Sequence, residues 1–199
     1  MDAALRDLLD RLYREGLAHD AAEPNRRRRR RNLEPEAATF LWVLLQALRA
    51  PAVVEIGTSN GYSALWLADA AVASGGRVTS VDVDAGVQGE AEANLAASGL
   101  AAAVELVTSD GGRFLAGVPD RSLDLLFLDA ERPEYARWWP HPRRVLRAGG
   151  LLVVDNVLSH PDEVVELRAR VEGDQELAST IVPVGKGQLL AVRSARQAG

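Results

Sequence analysis

The chain has 199 residues, of which 47% are hydrophobic and 26% charged, with a net charge of −5, a balance that suits one globular domain with a substantial core. It contains no cysteine, so disulfides, cysteine-zinc sites and a thiol nucleophile are excluded. The acidic balance argues against nucleic acid as a partner, no apolar run approaches the ~20 residues that a bilayer span needs, and the first residues lack the pattern of a signal peptide, so a cytoplasmic location is expected.

Residues 2–18 place Leu5, Leu8, Leu9, Leu12 and Leu17 on one helical face, which predicts an amphipathic helix packed on the domain or on a partner. A homodimer is expected on that ground. Residues 26–31 are six consecutive arginines. They read as a solvated loop, as a clamp for an anionic substrate, or, ranked last, as a nucleic-acid arm. Pro35 opens a second helix that continues through Phe40, Leu41, Val43, Leu44, Leu45 and Leu48. Its apolar arc is wide, so burial is expected.

Residues 52–68 read AVVEIGTSNGYSALWLA. The apolar run 52–56 is a strand buried on both faces, interrupted by one acid, Glu55. A small polar turn follows, with Gly57 and Gly61 four apart, and then a helix with Ser63 in its first turn. Strand, glycine turn and helix open a nucleotide-binding α/β sheet, whose ligand lies beyond the carboxyl end of the strand. The dinucleotide fingerprint and the phosphate loop are both absent.

A second strand, RVTSVDV, starts at Arg77 and carries Asp82 near its tip. A carboxylate there is placed to accept ribose hydroxyls, or else caps the strand end. Residues 85–98 form a helix, with Asp84 structural. The third strand, at 104–107, leads to Ser109 and Asp110, and that acid either faces an adenine or caps the next helix. The fourth strand, LDLLFL at 123–128, ends in Asp129; the fifth, GGLLVV at 149–154, ends in Asp155 and Asn156. Two carboxylates and an amide oxygen suit a hard cation such as Mg²⁺ or Ca²⁺, the alternative being bonds to nearby loop amides. Tyr135, Trp138 and Trp139 lie between; they read as lining for a flat organic substrate or, for at least two of the three, as helix-to-sheet packing. His141 and His160 read as surface or helix-end residues. A last helix spans 162–172, and strands at 179–184 and 188–193 form a hairpin around Gly185-Lys186-Gly187.

VVEIGTSNGYSALWLA, VTSVDVD, LLFLDAERPEY and LLVVDNV together resemble the small O-methyltransferases of the catechol and caffeoyl-CoA type and their bacterial relatives, within the class I S-adenosylmethionine-dependent methyltransferases. The resemblance runs over roughly Leu33 to Val192. It implies an α/β fold: a Rossmann-like, seven-stranded, mostly parallel sheet with a C-terminal antiparallel hairpin and helices on both faces. It implies a single domain over 1–199, with 1–32 as an extension. S-adenosylmethionine would be held by Glu55, Gly57, Gly61, Ser63, Asp82, Ser109, Asp110 and the backbone of Leu33. Asp129, Asp155 and Asn156 would bind a divalent cation, Mg²⁺ by expectation. The acceptor would be a small, aromatic hydroxyl compound. The family commonly has a lysine three residues after the first metal aspartate, acting as base; here that place is Arg132. Arginine stays charged at any working pH and cannot take a proton, so Arg132 would stabilise a phenolate or hold an anion, with Glu131 as a candidate base. The alternatives are a metal-independent methyltransferase acting on RNA or a nucleobase, and a protein that binds the cofactor without turnover.

Overall fold

The structure, a computed structural model, describes residues 1–195. The elements in chain order are α1 (Ala3–Ala22), α2 (Pro35–Leu48), β1 (Ala52–Ile56), α3 (Tyr62–Val72), β2 (Arg77–Asp82), α4 (Ala85–Ser98), β3 (Val104–Thr108), α5 (Gly111–Gly117), β4 (Leu123–Leu128), α6 (His141–Arg144), β5 (Leu146–Val154), α7 (Pro161–Glu172), β6 (Leu177–Val182) and β7 (Gln188–Arg193). The sheet has seven strands in the order β3-β2-β1-β4-β5-β7-β6. The first five are parallel, and β7 runs antiparallel to both β5 and β6. This is the predicted architecture. The strand order reverses between β1 and β4, so a crevice opens there at the carboxyl edge.

Strand alternation divides the core in two. Val53, Leu125, Phe127, Leu151 and Val153 face one side, with α1, α2, α3 and α4. Val54, Ile56, Leu126, Leu128, Leu152 and Val154 face the other, with Leu115, Tyr135, Trp138 and α7. All six residues of β4 are buried, as a central parallel strand requires.

The structure corrects several expectations about individual elements. Leu5, Leu8, Leu9 and Leu12 of α1 join the first core, whereas Leu17 is 56% exposed. The leucine face is therefore spent within the chain, at ~1.5–3 kcal/mol per buried leucine, and gives no argument for a dimer. Val43, expected to be buried, is exposed on the outer side of α2.

The hairpin strand β6 ends at Val182 rather than 184, because Pro183 has no N–H to continue the ladder. Strand β5 starts before the glycine pair. Leu146 pairs with Leu123 and Leu151 with Leu125, and the extra residues bulge between them where Gly149 has a φ of 75°.

Candidate active site

The carboxyl edge of β1, β2 and β4 opens into a cavity of about 580 Å³. Leu33, Gly57, Ser63, Asp82, Ser109, Asp110, Asp129, Arg132 and Asn156 line it. Glu55, Gly61 and Asp155 stand behind its wall.

The turn after β1 is held from both sides. Gly57 N donates to Val81 O at 2.8 Å, and Asp129 N donates to Ile56 O at 3.0 Å. Gly57 has a φ of 114°, and a Cβ there would collide with the backbone carbonyl of Asp129. Glycine is thus what lets the cofactor turn and the end of β4 meet. Gly61, with a φ of 81°, precedes α3, where a Cβ would press on Ala91.

Ser59 N donates to Asp82 Oδ2 and Asp84 N to Asp82 Oδ1, both at 3.1 Å. Two backbone amides therefore fix the Asp82 carboxylate while leaving it lone pairs for a ligand. Asp84 caps α4 through Gly86 N. Asp110 lines the cavity and caps α5, accepting from Arg113 N at 2.8 Å.

Glu55 is fully buried. Ser80 Oγ donates to Glu55 Oε2 at 2.5 Å and lies 2.8 Å from Thr58 Oγ1, whereas among the described residues no donor meets the hydrogen-bond geometry at Oε1. Burial pushes the carboxyl up to about 8, against the Ser63 and Ser80 hydroxyls that favour its charged form. Burial thus favours its neutral form.

On the other side, Asn156 has a φ of 67° and turns its amide between two acids. Its Nδ2 donates to Asp155 Oδ2 at 2.7 Å and to Asp129 Oδ1 at 3.2 Å. Burial pushes Asp129 up to about 6, against the pull of Arg31, Arg132 and Lys186. Asp155 is raised by burial and then by the charge of Asp129. Among the described residues no three His, Cys, Asp or Glu side chains form a metal cluster; this set has two carboxylates and an amide. It nonetheless fits a hard cation. Two nearly dry carboxylates share one amide donor, and a half-turn of that amide would set its oxygen between them.

Arg132 is buried, and its Nε and Nη2 both lie 2.7 Å from Glu163 Oε2. Glu131 is paired with Arg31 at 3.3 Å. Tyr135 is fully buried, its hydroxyl accepting from Ala130 N, while Trp138 packs on Tyr135 and reaches the cavity wall.

The arginine run is tied to the protein rather than loose. Asp20 accepts from the backbone of Arg30 and Arg31 at 2.7 and 2.8 Å, and Arg30 O accepts from Ser59 Oγ at 2.9 Å. Arg26, Arg29, Arg30 and Arg31 line the cavity. His160, expected as a surface or helix-end residue, stands at the N-cap of α7 and also lines the cavity, where Arg26 donates to its Nε2 at 3.1 Å.

Sequence reading missed the tie between Ser59 and the arginines, and it missed Lys186, whose ammonium enters the cavity from the hairpin. The signal for the second was present: Lys186 is the only lysine in the sequence.

A family model described as O-methyltransferase matches residues 10–193. A catechol O-methyltransferase of Niastella koreensis is 30% identical over 130 residues, covering 64% of this chain and 58% of that protein. The chain thus spans less than two thirds of that relative's length. The O-methyltransferase of Bacillus cereus, solved in complex with SAH, superposes with a TM-score of 0.78 at 22% identity over 98% of this chain and 92% of that one. TomG of Streptomyces achromogenes, an O-methyltransferase involved in tomaymycin synthesis and solved with SAM, gives 0.76 at 24% identity over 98% and 91%. At those identities the two structures speak for the fold. The match along residues 10–193 speaks for more: the chain belongs to the O-methyltransferase family, within the class I S-adenosylmethionine-dependent methyltransferases that its motifs resemble.

Proposed function

We propose that this chain moves the methyl group of S-adenosylmethionine to a hydroxyl of a small, aromatic, chelating acceptor such as a catechol, with Mg²⁺ or another divalent cation held by Asp129, Asp155 and Asn156. One observation carries the reading: a single cavity is lined by the glycine turn, Asp82, Asp129 and Asn156. Its volume of about 580 Å³ lies in the range of small-molecule sites.

In this reading Asp82 accepts the ribose hydroxyls, with Ser109 and Asp110 beside the adenine. Ser63 and Glu55 serve the methionine end, which Leu33 closes. The donor sulfonium already activates its methyl. The protein's work is therefore to align oxygen, carbon and sulfur and to keep water away. Leu33, Trp138 and the tethered arginines form that screen. A divalent cation at the acidic edge would gather the acceptor oxygens and acidify the attacking hydroxyl. Arg132, charged and tied to Glu163, contributes positive potential to that edge and takes no proton.

Calorimetric titration tests the reading. S-adenosylhomocysteine is expected to bind with or without Mg²⁺, and catechol to bind the loaded protein with Mg²⁺ alone. No heat with S-adenosylhomocysteine would overturn the cofactor assignment. Catechol binding indifferent to a chelator would overturn the metal assignment.

A further inference from the structure

Lys186 stands alone among 199 residues as the one lysine. It occupies the turn between β6 and β7, where its carbonyl accepts from Leu158 N and Ser159 N at 3.1 and 3.2 Å. Those bonds clamp the hairpin turn onto the loop that follows Asn156. Its side chain lines the same cavity as Asp129 and Asn156. Nζ lies 2.5 Å from Glu34 Oε1, on the residue that precedes α2. An ammonium has three donors, and Glu34 is its hydrogen-bonding partner among the described residues, so donors remain for a ligand. The neighbouring cations are differently placed. Arg132 is forked onto Glu163, Arg31 is paired with Glu131 and Arg30 with Glu90.

We propose that Lys186 is a catalytic residue whose ammonium holds the reacting oxygen of the acceptor and stabilises its oxyanion. The inference rests on the methyl-transfer reading given above. The place that carries a lysine in related enzymes here holds Arg132, engaged with Glu163, and the positive donor comes instead from the opposite wall on the hairpin. Lys186 acts as a cation and not as a base. Its ion pair with the Glu34 carboxylate favours the charged ammonium. The acceptor O–H loses its proton to bulk solvent as the acceptor binds, before the methyl step from which water is screened. The oxygen lone pair forms the O–CH₃ bond while the C–S bond breaks and its electrons pass to sulfur. The sulfonium and the oxyanion become a neutral ether and S-adenosylhomocysteine, and the ammonium keeps its protons throughout.

A competing account makes Lys186 only a tie between the hairpin and α2. Two variants separate the accounts. K186M should lower kcat on catechol by about 10²-fold, as loss of one oxyanion donor does, with S-adenosylhomocysteine affinity unchanged. E34Q breaks the ion pair but spares the ammonium, and should lose only a few-fold. K186R, which restores a cation, should recover most of the K186M loss.

A spectroscopic readout stands apart from turnover. Reductive ¹³C-methylation labels Lys186 and the α-amino group alone. The Lys186 resonance is expected to shift when catechol is added to protein saturated with S-adenosylhomocysteine and Mg²⁺. Equal losses in K186M and E34Q, or a Lys186 resonance indifferent to bound catechol, would overturn the inference. Failure of the wild type to bind S-adenosylhomocysteine strikes instead at the proposed function. Full turnover by K186M strikes only at the lysine.

Discussion

The side-chain amide nitrogen of Asn156 lies 3.2 Å from Asp129 Oδ1, although 27 positions separate the two residues. Parallel pairing creates the meeting. Leu128 pairs with Val154, Asp155 N donates to Leu128 O at 3.1 Å, and the residues just beyond both strands emerge side by side. The left-handed backbone of Asn156, with its φ of 67°, turns the amide back across the gap. The result is a buried acid, Asp155, and a cavity-lining acid, Asp129, joined by one amide.

That junction predicts the behaviour of Asp155→Ala. Asp155 is 2% exposed and bonded to Asn156, so under the proposed metal role its loss would remove one ligand and loosen a second. Turnover on catechol should fall by at least about 10²-fold, while S-adenosylhomocysteine affinity stays close to wild type. Calorimetry and initial rates check both. Retained turnover would show that these acids do not serve the reaction.

Glu55 predicts a pH dependence of stability. Its folded value of about 8 lies above the ordinary 4.5, so the native state binds a proton that the unfolded state releases between those values. The stabilisation is complete below pH 4.5 and is lost as pH rises through 8. The slope reaches about 1.4 kcal/mol per pH unit within that window. Urea midpoints of the cofactor-free protein at pH 5 and 8 measure the fall, to which the raised Asp129 and Asp155 also contribute, and Glu55→Gln should reduce the difference without abolishing it.

Asp20 predicts how the arginine segment is held. Its two oxygens accept from the backbone of Arg30 and Arg31, and Arg30 in turn is bonded to Ser59 of the cofactor turn. Asp20→Ala should remove about 1 kcal/mol of tethering or more, a factor of about five in local opening. Trypsin should then cut within residues 26–31 faster than in wild type, with S-adenosylhomocysteine restoring protection. An unchanged cutting rate would show the segment to be held by other contacts.

Gly57→Ala tests the join between the turn and β4. A side chain must adopt a φ of 114° and press on the Asp129 carbonyl. The expected loss is about 2–4 kcal/mol of stability, together with weakened cofactor binding. Chemical denaturation and calorimetry report the two effects separately.

Much of this molecule was legible along the chain because the relevant physics is local. Alternating apolar residues, glycine turns and helix caps act over a few positions, and they place β1, β2, β4 and β5 closely enough to name Asp82, Asp129 and Asp155 at their ends. A parallel sheet sends all those ends to one edge, so co-location followed from topology. Depth did not: Asp155 stands behind the wall that Asn156 forms. Nor did pairing between distant elements. The grip of Glu163 on Arg132, of Asp20 on the arginines and of Glu34 on Lys186 depends on how α7, α1 and the hairpin pack onto the sheet. Those contacts span 31, about ten and 152 positions, and no periodicity in the chain specifies which charged side chain meets which.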